Sequence, residues 1–85
     1  MEYYFSILFN SKPGFVIRVA LILERRGFEI QSLTIQHHQE SVAEMILKVS
    51  GVEEKKDQVI KQISKLIDVL EVSEVNELVL DKVGV

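Results

Sequence analysis

His37 and His38 are the only two histidines in this 85-residue chain, and a pair of imidazoles raises the question of a metal. Neighbouring residues on a strand point to opposite faces, so one ion cannot easily take both. The chain has no cysteine to complete such a site, and no carboxylate stands at a recognisable ligand spacing. The pair reads as a solvated strand end. No Ser-His-Asp or paired-acid constellation is readable either. Glu53, Glu54 and Asp57 fall at the start of a helical segment, where the helix dipole accounts for acids without any reaction. Asp68 and Glu71 flank the last strand and read as surface groups. The expectation is therefore no catalytic residue, no metal and no cofactor.

The better site candidate is a corner. In "FNSKPGF", Phe9–Phe15, Pro13 and Gly14 separate two apolar segments. A proline near a helix start gives up an amide that has no partner there in any case, so the stretch serves simply as a turn. The same geometry suits a ligand. The first amides of a helix are free and attract a carboxylate, and Gly14 allows close approach of a backbone or a ligand. An amino acid carries such a carboxylate.

The elements around the corner follow from periodicity. Residues 3–9, rich in aromatic and apolar side chains, read as a central strand. Residues 15–26 are too long for a typical strand and close on Gly27, as a helix does. Val16, Val19, Ala20 and Leu23 form its stripe, widened by Phe15 and Ile22, while Ile17 and Leu21 lie off it. A helix this apolar all round calls for cover on more than one side. Residues 28–37 read as a long strand whose alternation changes phase, predicting a bulge near Gln31–Ser32. After "HHQES", residues 42–50 put Ala43, Met45, Leu47 and Val49 on one face, and the short link makes a hairpin. Residues 53–67 predict a second helix with Val59, Ile60, Ile63, Leu66 and Ile67 as its stripe. Residues 69–75 are the last strand. Residues 77–85 form a tail or a short extra strand.

The order β-α-β-β-α-β predicts an α+β fold of the ferredoxin-like kind, with two helices on one face of a four-stranded antiparallel sheet ordered 4-1-3-2. Tyr4, Leu8, Val42 and Ile46 then fall on the open face, and an uncovered face or edge is a reason to expect a partner. At 47% hydrophobic residues the chain supports one core, and at this size an oligomer adds stability. The net charge of −3 with scattered Lys and Arg argues against nucleic acid. The apolar runs fall short of the ~20 residues of a membrane helix. Nothing at the N-terminus reads as a signal peptide, so the expected location is cytoplasmic. Relatives of the topology with other chemistry fit poorly. The phosphate loop of acylphosphatases needs more glycine than the corner offers. RNA-recognition domains need aromatic residues on "VAEMILKVS", and copper carriers need a cysteine pair.

The string "PGFVIRVALILERRGFEIQSLTI" resembles the ACT domain of acetohydroxyacid (acetolactate) synthase regulatory small subunits, which typically read like "GxLxRVxGLFxxRGYNIESLTV". Gly14, Arg18, Val19, Arg26-Gly27-Phe28, Ile30 and Ser32-Leu33-Thr34 carry it. "KLIDVLEVSEV", residues 65–75, resembles the family's "KLxDVxxVxxL". The resemblance implies an ACT domain over residues 1–76. It also implies a homodimer through the first helix and second strand, and a partnership with the thiamine-diphosphate-dependent catalytic large subunit. A branched-chain amino-acid effector would lie at the dimer interface, so the chain itself would be a regulator and not an enzyme. The effector site then comprises Asn10, Ser11, Lys12, Pro13, Gly14 and Phe15, faced by Glu29, Ile30 and Gln31. Where the family carries Asn after the Arg-Gly-aromatic triplet, this chain carries Glu29. An ionised Glu can accept an ammonium but donates nothing. The alternative is an ACT module that dimerises and docks without binding an amino acid.

Overall fold

The computed structural model describes residues 1–76; the expected tail at 77–85 lies outside the described residues. The elements are β1 (Glu2–Asn10), α1 (Phe15–Arg25), β2 (Glu29–His37), β3 (Val42–Ser50), a 3-10 turn at Glu53–Lys55, α2 (Lys56–Ser64) and β4 (Val69–Val75). They build one antiparallel sheet in the order β2-β3-β1-β4, with β1 and β3 in its centre. This is the ferredoxin-like order expected from the sequence.

Strict alternation sets the two faces of the sheet. Tyr3, Phe5, Ile7 and Phe9 of β1 and Ala43, Met45, Leu47 and Val49 of β3 are buried beneath the helices. Phe15, Val19 and Leu23 of α1, with Val59 and Ile63 of α2, close the core from above. Tyr4, Leu8, Val42 and Ile46 are half-buried on the other face. There Ser6 Oγ donates to Glu44 Oε2 at 2.8 Å, and His38 Nε2 lies 3.5 Å from Glu44 Oε1.

β2 carries the expected bulge. Its register against β3 shifts between Ile30 and Ser32. The extra residue, Gln31, lets Ile30, Leu33 and Ile35 all pack against the core despite their mixed parity. α1 ends where Gly27 adopts φ 77°. The Gly27 amide donates to Glu24 O at 3.0 Å and that of Phe28 to Leu23 O at 2.9 Å, the paired bonds of a Schellman ending.

The second helix differs from its sequence expectation. It stops at Ser64, not Ile67. The following bonds, Leu66 N to Ile63 O and Val69 N to Leu66 O at 3.1 Å each, are turn bonds three residues apart that steer the chain into β4. Leu66 still packs on the core, but Ile67 leaves the stripe and is 89% exposed. Lys56, opening α2, is hydrogen-bonded to Glu74 of β4 at 3.1 Å and lies 5.0 Å above the Tyr3 ring. The Glu74 contact raises the pKa of the ammonium, so on the alkaline side this tie holds beyond neutral pH and is lost as pH rises past the lysine range.

Candidate functional site

The corner is held from three sides. Gly14 caps α1 at φ 84°, a conformation that suits glycine. The Ser11 amide donates to Ser41 O at 2.6 Å, fastening the corner to the β2–β3 hairpin. The Asn10 amide donates to Asp68 O at 2.8 Å, fastening it to the start of β4. Beneath it the Phe9 and Phe15 rings stack at 4.2 Å with planes 9° apart. The Phe15 amide is engaged by Lys12 O at 3.2 Å, so it is not free for a ligand as the sequence suggested. The amides of Val16 and Ile17, still in the first turn, have no carbonyl to bond inside the helix.

Asp68 corrects a second expectation. It is no surface group: the residue is 6% exposed, and its carboxylate faces Lys12 Nζ at 3.7 Å and Arg18 Nη1 at 3.9 Å. Both cations stay more than half exposed. Sequence reasoning missed this group because its partners lie on β1's corner and on α1, remote along the chain. A charged residue ending an apolar stripe just before a strand was the only local sign.

Glu29, Ile30 and Gln31 lie elsewhere in the chain. Glu29 is level with Ser50 and, across β3, with Glu2, whereas Asn10 is level with Val42. The nine residues of β3 separate the two groups by ~27 Å at the usual strand rise. Within one protomer the predicted site is therefore two half-sites. Glu29 and Ile30 line an open cleft of about 460 Å³ with Ala20, Glu24, Gly27 and Phe28, between the end of α1 and the start of β2. Among the described residues no cluster of three or more His, Cys, Asp or Glu is placed to hold a metal ion. Among them, too, no helix is long and apolar enough to cross a membrane.

Two exposed features join the half-sites' surroundings. Among the described residues β2 is an edge strand, with one side of its backbone unpaired. Above it, Ile17 and Leu21, one turn apart on α1, are 65% and 44% exposed.

The sequence and the fold both have relatives. The family model for the AHAS small subunit-like ACT domain matches residues 5–71. A probable acetolactate synthase small subunit of Archaeoglobus fulgidus is 40% identical over 78 residues, 91% of this chain and 49% of that protein. The acetolactate synthase small subunit of Mycobacterium avium is 38% identical over 73 residues, 85% of this chain and 44% of that one. The crystal structure of the acetolactate synthase small subunit from Thermotoga maritima superposes with a TM-score of 0.76 at 32% identity, covering 92% of this chain and 49% of that one. The chain thus spans about half the length of the relatives it matches. The match over residues 5–71, together with relatives 38–40% identical over most of the chain, places this chain in the family of AHAS small subunit-like ACT domains.

Proposed function

We propose that the chain is a non-catalytic regulatory ACT domain of acetolactate synthase. In this reading it forms a two-fold dimer across β2 and α1 and docks on the thiamine-diphosphate-dependent catalytic subunit. It holds a branched-chain amino acid between the corner of one copy and Glu29–Gln31 of the other. The observation that carries the reading is the placement of the two half-sites. The corner is bonded to the hairpin at the far end of β2, and Glu29 opens β2 at the near end. An antiparallel two-fold along the free β2 edge sets the end of one strand beside the start of the other. It therefore carries each corner toward the partner's Glu29, and the same motion covers Ile17 and Leu21. The effector's carboxylate would meet Ser11 and the first-turn amides, and its ammonium would meet Glu29. Regulation would follow by linkage: a ligand that favours one arrangement of the dimer shifts the bound catalytic subunit by the same differential affinity.

The test is thermal unfolding of the purified chain against the common amino acids. Ligand at about 100 times its dissociation constant stabilises the fold by ~2.7 kcal/mol, a shift of several degrees for a domain of this size. A shift with valine, leucine or isoleucine alone supports the sensor. Gly14→Asp should then abolish that shift while dimer mass on size-exclusion chromatography stays the same. A Cβ at Gly14 meets nothing within 4 Å, so the new carboxylate acts on the ligand and costs the fold only about 1–2 kcal/mol through its φ. The Glu29 carboxylate supports a second reading, a module that dimerises and docks but senses nothing. The absence of a shift with every amino acid would favour it.

A further inference from the structure

Glu24 and Glu29 are both exposed at the cleft between the end of α1 and the start of β2. Among the described residues neither carboxylate is held in an ion pair. Arg25 and Arg26, the cations beside them in the chain, make no ion pair there either, and Arg26 Nε is enclosed without a partner. Glu2, level with Glu29 across β3, is already held by Lys48 at 3.7 Å. At the far end of β2 the balance is the reverse. The buried carboxylate of Asp68 faces two cations, Lys12 at 3.7 Å and Arg18 at 3.9 Å. One of them is enough to keep a buried carboxylate paired. Lys12 is the one free to leave, because its side chain is 65% exposed and hangs from the corner on a flexible four-carbon stem.

Resting on the dimer proposed above, we infer that Lys12 of each copy forms an ion pair with Glu29 of the other, and so fills the Glu29 half-site while no effector is bound. The two-fold that carries each corner to the partner copy's cleft makes this contact twice. Glu40 adds to the need for it. It is exposed in the hairpin that is fastened to the corner through Ser41 O, and among the described residues its carboxylate makes no ion pair. Travelling with the corner, it brings a further carboxylate toward Glu24 and Glu29 of the other copy, and a cation from the same corner offsets that repulsion. The contact also bears on regulation. The ammonium of Lys12 and that of an amino acid are the same chemical group, and the tethered one acts at an effective concentration in the millimolar range. An effector therefore has to displace Lys12, which returns to Asp68, and the response begins only above a raised threshold of amino acid.

The experiment measures dimer dissociation of the intact, fluorescently labelled chain by sedimentation at low and high salt. It compares the unaltered chain with Lys12→Glu, Glu29→Lys and the double variant carrying both. Each single variant should raise the dissociation constant about tenfold or more at low salt. The double variant exchanges the two charges and re-forms the pair in reverse, so its dissociation constant should return close to that of the unaltered chain. High salt should shrink all of these differences. Lys12→Met keeps the result readable where a new carboxylate disturbs Asp68: it removes the ammonium, leaves Arg18 on Asp68 and should still weaken the dimer at low salt. A double variant whose two losses simply add overturns the ion pair and leaves the dimer standing, as does a Lys12→Met dimer as tight as the unaltered one. An unaltered chain that stays monomeric at every concentration overturns the proposed dimer, and the ion pair with it.

Discussion

Phe15→Ala is expected to lower the unfolding free energy by about 3–5 kcal/mol, measured by urea denaturation at fixed protein concentration. For a domain of this length, with a total of ~4–13 kcal/mol, that is a large share. Phe15 is 1% exposed, and its ring is stacked on Phe9. The substitution therefore leaves a cavity between the end of β1 and the first turn of α1, and it forfeits the aromatic pair term of about 0.5–1.5 kcal/mol. Phe15 directly follows Gly14, so the same loss frees the corner. Phe15→Leu, which fills most of the volume, should cost less than half as much. Ile17→Ala makes the useful contrast. Ile17 sits two residues on, on the outer face of the helix, so its loss should leave the isolated fold almost unchanged. In the dimer proposed above it should show instead as weaker association, read from the concentration dependence of mass.

Gly51→Ala should cost about 1–3 kcal/mol, and Gly51→Val more, although neither residue adds polarity or charge. A Cβ at Gly51 would stand less than 3.0 Å from Cγ, Cδ2 and Cε2 of Phe28. Phe28 is 4% exposed and its ring sits 6.3 Å from that of Tyr3, so it cannot swing aside freely. Its outlet is the cleft it lines with Ala20, Glu24 and Glu29, so the substitution also disturbs the Glu29 half-site. Combining Gly51→Ala with Phe28→Leu tests the cause. The double variant should be more stable than the sum of the two single losses allows, because the smaller side chain relieves the overlap. Strict additivity in a thermal melt would mean that the ring is not what the new methyl group meets.

The sheet was legible because its faces differ so sharply. The alternation in Val42–Ser50 gives β3 to the residue, and the phase slip between Ile30 and Leu33 announces the bulge that the register displays. The apolar excess of α1 likewise became exposed Ile17 and Leu21. The end of α2 was not legible, since Leu66 and Ile67 continue the helical spacing. The chain leaves the helix there because Asp68 is engaged at the corner and β4 must pair with β1, and neither demand is local. The Asp68 cluster and the crowding at Gly51 were hidden for the same reason, each being defined by residues far along the chain. The candidate site was legible as a set of residues but not as a place. The distance from Asn10 to Glu29 follows from which ends of β1 and β2 share the length of β3, and that is a property of sheet register.

The order of the sheet also dictates when this protein can fold. β1 precedes the other strands, yet it is a central strand, and one of its two neighbours is β4, with Tyr4 opposite Val75. As the chain emerges from a ribosome, the aromatic-rich strand Tyr3–Phe9 must wait for β4 before both of its edges are filled. Folding thus depends on a pairing distant along the chain, and the nascent chain presents an unsatisfied, sticky edge until β4 has emerged. A chain truncated before Val69 would keep both helices and most of its apolar residues, yet it should accumulate as aggregate, because the strand at its centre would never be closed in.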